Sequence, residues 1–461
     1  MKNSRSVDGM SRRRFFKHSL LSGAAALAAP TIVPASVFGA KAPSNRIQVG
    51  AIGVGRISRE HDLPEILAFD QARVIAVCDL DAKRLREGKE LVESSYAKKG
   101  ISLSVRTYAD YQELLQSADI DAVVISTPDH WHAKPAIEAA RARKHVYLQK
   151  PASLTIAEGR MMSDCVHRSG IVFQLGTQQR SIEHFRLAAE LVRNGRIGRI
   201  HTVKVGLPID PSGEEEPEMP IPANLNYEKW LGSTPWVYYT EKRVHPQKDY
   251  SRPGWLRCEQ FGAGMITGWG VHHYDIAHWG IGAEYSGPLE IEATAAFPTK
   301  GLWDVHGKFT VDLLYPNEIR MHVSDEQPIG VRFEGSEGWI YVTRGNYSVT
   351  ASDPVSVAKK EQALSASDPK ILEAKIGPDE IHLIRSRDQH GNWLESIRSQ
   401  QPTISPVEVG HRSTSVCLLS HIAMKLKRKL YWDPFKERFK NDDEANALLS
   451  RPQRPPYQIT L

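Results

Sequence analysis

Residues Arg46 to Ser58 read RIQVGAIGVGRIS. The run opens on alternating apolar positions, Ile47, Val49 and Ala51, as a buried strand does. It breaks at Gly53-Val54-Gly55 and resumes as a helix-like segment, Arg56–Phe69. In a strand, glycine turn and helix start of this kind, Gly53 permits a turn that a side chain would block. Gly55 lets a pyrophosphate approach the main chain, and the free N–H groups of the helix that Arg56 and Ile57 begin face the anion. The third small position of the G-x-G-x-x-G pattern is Ser58. The next apolar run, Arg73–Cys78, ends in Asp79, 26 residues after Gly53, near the spacing of a carboxylate that holds an adenosine ribose. Together these features predict a dinucleotide site. An acid there favours NAD over NADP, because a 2′-phosphate would meet a negative charge. Lys83 and Arg84 follow closely and keep NADP open.

Working outward, strand and helix signals alternate as far as Gly176. The strands are Arg73–Cys78, Ser102–Arg106, Asp121–Ser126, His145–Leu148 and Ile171–Leu175. The helices are Asp81–Lys98, Tyr111–Gln116, Ala133–Arg143 and Ile156–Arg168. Continuous apolar strands between helices predict a parallel sheet covered on both faces, with ligands beyond its carboxyl edge. After Gly176 the pattern changes. A helix, Glu183–Asn194, leads to a strand near Ile200–Val205, a Pro- and Glu-rich loop over Pro208–Pro222, and an irregular stretch carrying Trp230, Trp236 and Trp255. Gly270–Trp279 reads as helix. Five strand-like runs from Ile291 to Val342 predict a mostly antiparallel open sheet, and helices near Asn392–Arg398 and Arg412–Lys427 close the chain. The fold class is therefore an α/β N-terminal Rossmann-type parallel sheet plus an α+β C-terminal domain. Boundaries are expected at residues 41–176 and 177–461.

The chain has 461 residues and a net charge of +5. Six basic residues and one acidic residue fall in the first 40, so the rest is balanced, and nothing in it argues for nucleic acid or a membrane surface. Ser11-Arg12-Arg13-Arg14-Phe15-Phe16-Lys17, followed by the Ala-rich run Leu20–Ala29, matches a twin-arginine signal over residues 1–40. Such a signal implies export of the folded protein by the twin-arginine translocase to the periplasm, with no membrane anchor in the mature form. The four cysteines, Cys78, Cys165, Cys258 and Cys417, form no C-x-x-C and read as packing residues rather than a disulfide framework or zinc cluster.

Three clusters carry chemistry: Ser126-Thr127-Pro128-Asp129-His130-Trp131-His132, Gln149-Lys150-Pro151, and Gly268-Trp269-Gly270-Val271-His272-His273-Tyr274-Asp275. In the last, His272 and Asp275 share one helix face, while His273 points about 100° away. The run also offers His272, Asp275 and His278 as metal ligands, but it lacks H-E-x-x-H spacing, so no metal is expected.

With these clusters the chain resembles the Gfo/Idh/MocA oxidoreductase family over essentially residues 46–461, including the C-terminal WDPFKERFKNDDEANALLSRPQRPP, which looks like an exported branch of it. The resemblance implies that Lys150, in the place of the E-K-P lysine, lies beside the nicotinamide. It also implies that Thr127, Pro128 and His132 form the turn over the cofactor, and that His272 and Asp275 match the second and third members of a D-x-x-x-H-x-x-D motif. Gln149 replaces the family's Glu and Gly268 its first Asp. Expected cofactor contacts are thus Gly53, Gly55, Arg56, Ile57, Asp79, Thr127, Pro128, His132, Gln149 and Lys150, and expected catalytic residues Lys150, His272 and Asp275. The implied activity is hydride transfer between a sugar or polyol carbinol and a tightly bound nicotinamide cofactor, in a homo-oligomer. The alternatives are redox-neutral NAD-dependent glycoside hydrolysis and non-catalytic sugar binding on a degenerate scaffold.

Overall fold

The computed structural model describes residues 46–345 and 362–460, and the export signal read in residues 1–40 lies outside them. Six strands form the first sheet: β1 (Ile47–Ile52), β2 (Ala72–Cys78), β3 (Arg106–Tyr108), β4 (Ala122–Ile125), β5 (His145–Leu148) and β6 (Phe173–Leu175). All pairs are parallel and the order is β3-β2-β1-β4-β5-β6. Burial on both faces explains the continuous apolar strands; all four residues of β4 are enclosed. The order reverses between β1 and β4, which opens a crevice at the carboxyl edge. In register, Ile52 of β1 pairs with Ile125 of β4, and Ile125 with Leu148 of β5. The turns that begin at Gly53, Ser126 and Gln149 therefore leave the sheet side by side.

One strand lies elsewhere than the sequence predicts. The Ser102–Arg106 alternation packs without pairing: Val105 is buried, but its N–H donates to Glu93 Oε1 at 2.9 Å, and the ladder forms over Arg106–Tyr108.

The second sheet has nine strands: β7 (Ile200–Gly206), β8 (Glu290–Ala295), β9 (Phe309–Leu314), β10 (Arg320–Ser324), β11 (Gly330–Gly335), β12 (Gly338–Val342), β13 (Leu364–Ala366), β14 (Leu430–Asp433) and β15 (Arg438–Phe439). Their order is β13-β12-β11-β7-β10-β9-β8-β14-β15, antiparallel except for β7 beside β10. Alternate residues of β9 are buried, so one face of the sheet packs on a core. Helices Gly270–Ile281 and Val407–Leu426 cover that face and pack on each other, with Val271, Ile276, Val416 and Leu419 joining Val203, Val311 and Phe333 in one apolar cluster. Enclosure on every side accounts for the absence of a polar stripe along Gly270–Ile281.

Late in the chain, helix Gln389–Ser399 returns to the first sheet. Trp393 and Leu394 are fully buried there among Val49, Val74, Val124 and Tyr147. All four cysteines are buried and free. Among the described residues no helix is long and apolar enough to cross a membrane.

Candidate active site

A cavity of about 480 Å³ runs from the β1 turn along the carboxyl edge to the helix that carries His272. At its near end, Gly53 has φ +82°, and a Cβ there would stand 2.9 Å from the Ser126 carbonyl group, so glycine is required twice over. Gly55 differs: a Cβ would meet only Arg84 Nη1, at 3.8 Å. Its open side faces the cavity, as a passing diphosphate needs. Asp79 is tied into the same turn, its Oδ2 accepting from Val54 N and its Oδ1 from Asp81 N, each at 2.9 Å. Burial pushes its carboxyl up, and the two amide donors offset this only in part. Each oxygen keeps a further lone pair for a ribose hydroxyl. These groups fit the diphosphate and ribose of a dinucleotide.

Residues 224–250 clasp this end. Asp81 and Leu225 form a bridge, and Ala82 N donates to Asn224 O at 2.8 Å. His245 lies 3.1 Å from Asp81, Lys83 Nζ donates to Gln247 O at 2.5 Å, and Arg84 Nη2 to Pro246 O at 2.8 Å. Arg59 and Arg84 both stack on Tyr250, at 4.3 and 4.4 Å. The two cations that left NADP open are thus engaged by the clasp.

Midway, the turns after β4 and β5 face each other. His132 staples them, with Nε2 2.8 Å from Thr127 O and Nδ1 2.5 Å from Pro151 O. Burial lowers its pKa to about 4, so the ring is neutral and donates to one carbonyl at a time. The Lys150–Pro151 peptide is cis. Behind Lys150, buried Asp62 accepts from Ser126 Oγ at 2.7 Å and Gln149 Nε2 at 2.8 Å, with His61 and His390 nitrogens each 3.2 Å from its Oδ1. Burial opposes ionisation, but hydrogen bonds and charge from His390 and His61 outweigh it, and the carboxyl is held well below its usual range. A carboxylate therefore does reach Gln149, from a different element than the family pattern implies.

At the far end, Lys150 Nζ donates to Gly268 O at 2.5 Å, one helical turn before His272. The position of the missing motif Asp offers its carbonyl to the lysine instead. His272 lines the cavity; its Nδ1 is enclosed without a hydrogen bond, which leaves Nε2 toward the cavity. Burial, then Arg344 and Lys150, press its pKa well below the usual imidazole range, so it is neutral.

The ten expected cofactor residues, from Gly53 to Lys150, and His272 all line this cavity. Asp275 does not. Its oxygens accept from Arg180 Nε at 2.6 Å, Arg180 Nη2 at 2.9 Å and Ser413 Oγ at 2.7 Å, in a buried ion pair between helices. The expectation that it acts at the site is corrected: it anchors the His272 helix. His278 meets Tyr315 Oη at 2.7 Å, so the three candidate ligands of the histidine run diverge. Sequence reading quoted Asp129 in a cluster but gave it no role, and it missed the cavity residues Arg252, Arg344 and Tyr457. Only two gave a signal: Asp129 in the turn after β4, and Arg344 as a charge ending the apolar β12 run.

The glycine turn, the all-parallel sheet and the cavity along its carboxyl edge define a dinucleotide-binding Rossmann-type fold. Residues 47–177 match the model of the oxidoreductase family's NAD-binding Rossmann fold, and residues 211–346 and 378–459 its C-terminal alpha/beta domain. The chain belongs to the Gfo/Idh/MocA family. It is 31% identical over 159 residues to myo-inositol 2-dehydrogenase of Thermotoga maritima, covering 34% of this chain and 44% of that one. It is 32% identical over 174 residues to a glycosyl hydrolase family 109 protein of Shewanella pealeana, covering 35% and 38%. The chain thus spans less than half the length of these curated relatives. Among solved structures it resembles the WlbA dehydrogenase of Bordetella pertussis, in complex with NADH and UDP-GlcNAcA. The TM-score is 0.58 at 17% identity, over 84% of this chain and 99% of that one.

Proposed function

We propose that this protein transfers hydride between a carbinol carbon of a sugar or polyol and a nicotinamide cofactor that stays bound through the catalytic cycle. The observation that carries the reading is that Lys150, in the turn after β5, reaches the Gly268 carbonyl one turn before His272, and that both residues line the cavity that begins at the glycine turn. When bound, the nicotinamide ring accepts or returns the hydride. Lys150 donates a hydrogen bond to the substrate hydroxyl oxygen and steadies charge that develops there. Neutral His272 accepts a hydrogen bond from the same region. The His132 staple holds the turn that carries Lys150, and the Asp62 network fixes Gln149 beside it.

Retention of the cofactor is supported by the clasp of residues 224–250, and it suits the twin-arginine motif read in residues 11–17, since a protein exported folded would carry its cofactor with it. Such an enzyme regenerates its cofactor within each cycle, by oxidising one sugar and reducing another. The family 109 relative favours a second reading, redox-neutral glycoside cleavage. Protein purified from cytoplasm is mixed with free aldohexoses, myo-inositol and aryl glycosides, and the bound nicotinamide is followed by absorbance. Reduction by a free sugar or polyol is expected. Release of aryl alcohol without net reduction selects the second reading, and sugar binding without either change refutes both.

A further inference from the structure

The substrate end needs a group that takes up a hydroxyl proton, and the residues expected to supply it are poorly placed to do so. His272 is held so far below its usual pKa that it is a weak proton acceptor. The carboxylate that the family motif sets one turn before it is Gly268 here, and Asp275 is committed to Arg180. Three carboxylates line the cavity: Asp79, Asp110 and Asp129. Asp79 sits in the glycine turn, and Asp110 is paired with Lys229 Nζ at 2.8 Å and caps Gln112 N.

Asp129 differs from both. It follows Thr127-Pro128 at the head of a short turn, is only 4% exposed, and lines the cavity. Lys150 of the β5 turn and Arg252 of the following domain act on it through their charge. Gly262 leaves it room, since a Cβ there would stand 3.2 Å from Oδ2. The imidazoles beside it on its own turn, His130 and His132, are both held neutral by burial, with pKa values of about 3 and about 4.

We propose that Asp129 is the acid–base residue of the substrate end, the catalytic carboxylate that stands in for the motif aspartate missing at Gly268. The assignment rests on the carbohydrate oxidoreductase reading. As a carbinol is oxidised, its carbon loses hydrogen with two electrons, as hydride to the bound nicotinamide. The hydroxyl proton passes to an Asp129 oxygen, and the C=O bond forms. In the return direction Asp129 gives the proton back. Burial pushes its carboxyl up while Lys150 and Arg252 pull it down, to about 7. A group that is part protonated and part ionised near neutrality serves both directions.

The test uses the purified full chain with its bound nucleotide, and D-glucose and myo-inositol as probes. Asp129→Asn is expected to slow nicotinamide reduction by roughly 10²- to 10⁴-fold at unchanged nucleotide content. The wild-type rate of sugar oxidation rises with pH through about 7, where Asp129 ionises. The Asn variant loses that limb and Asp129→Glu keeps it. Infrared difference spectra of the sugar-free protein provide a readout independent of turnover. A protonated carboxyl band is expected to titrate near neutrality in the wild type and to vanish in Asp129→Asn. Wild-type rates in the Asn variant overturn the assignment, as does the absence of such a band from the wild-type spectra. A wild-type protein that reduces its nicotinamide with neither probe removes the carbohydrate reading, and with it this role. The infrared titration still reports in that case whether Asp129 holds a proton.

Discussion

Replacing Asp79 with alanine tests the near end of the cavity most directly. Its two oxygens each accept one backbone N–H at 2.9 Å and each retain a lone pair toward the cavity. A ribose offers two hydroxyls, and a hydrogen bond to a charged acceptor is worth about 1.5–3 kcal/mol. Water in the opened site recovers part of this, so a net loss of about 3 kcal/mol is expected, a factor of roughly 100 or more in Kd. The amides of Val54 and Asp81 lose their partners in a buried turn, which costs the fold about 1–3 kcal/mol each and should show as a lowered melting temperature. The assay is titration of nucleotide-free protein with NADH by calorimetry or tryptophan-to-NADH energy transfer, with thermal melting alongside. Asp79→Asn keeps an acceptor and loses the charge, so about a tenfold loss is expected there. Removing the charge also relieves repulsion of a 2′-phosphate, and the preference for NAD over NADP should shrink in both variants. An alanine variant that melts normally and binds NADH within about threefold of wild type would refute the ribose assignment.

Lys150→Ala should retain NAD and lose hydride transfer by about 10²-fold or more, read by single-turnover absorbance, and normal turnover would remove Lys150 from the mechanism. Asp275→Ala leaves buried Arg180 with Glu284, at 2.8 Å, as its remaining acidic partner, so a cost of up to about 3 kcal/mol is expected in melting; a variant that melts like wild type but fails to turn over would restore Asp275 as a direct participant. Gly268→Asp has room, since its Cβ meets only Met265 Sδ at 3.9 Å. The new carboxylate should raise the titration of His272, read by proton NMR, and no change would place that position away from the imidazole. Glu437 contacts Arg160, His411 and Arg412; burial opposes its ionisation, yet His411 and Arg160 lower its carboxyl from 4.5 to about 2. A depressed carboxyl stabilises above its unfolded value and loses that contribution as pH falls through the folded one. About 3 kcal/mol should therefore disappear between about pH 4.5 and about pH 2, and acid melting curves of Glu437→Gln should be flatter by that amount.

The parts of the site legible in the sequence are those whose chemistry is local. The Gly53 turn, the acid ending β2 and the Gln149-Lys150-Pro151 turn each announce themselves within a few residues, and topology alone puts their strand ends on one edge. Asp275 was misread because its partner, Arg180, lies 95 positions away and no periodicity points to it. Gln149 looked like a lost carboxylate because Asp62, which restores one, sits in the helical segment Ser58–Asp62 that follows β1. Arg252 and Tyr457 come from irregular segments whose course is set by tertiary contacts. The third strand slipped because alternation reports burial, which Val105 has, and not ladder pairing, which it lacks.

Helix Gln389–Ser399 has a consequence for how the molecule is made. The face of the first sheet against which Trp393 and Leu394 pack is covered early by Leu63, Ile66, Val92 and Tyr96 and is completed only when those two residues are made, more than two hundred residues after the last strand of the sheet. A nucleotide arriving early would find the β1 turn built on a half-finished layer. Completion of this layer is then a late event in synthesis. An isolated fragment ending at residue 176 should stick to itself through the part of that face that Trp393 and Leu394 cover in the whole chain.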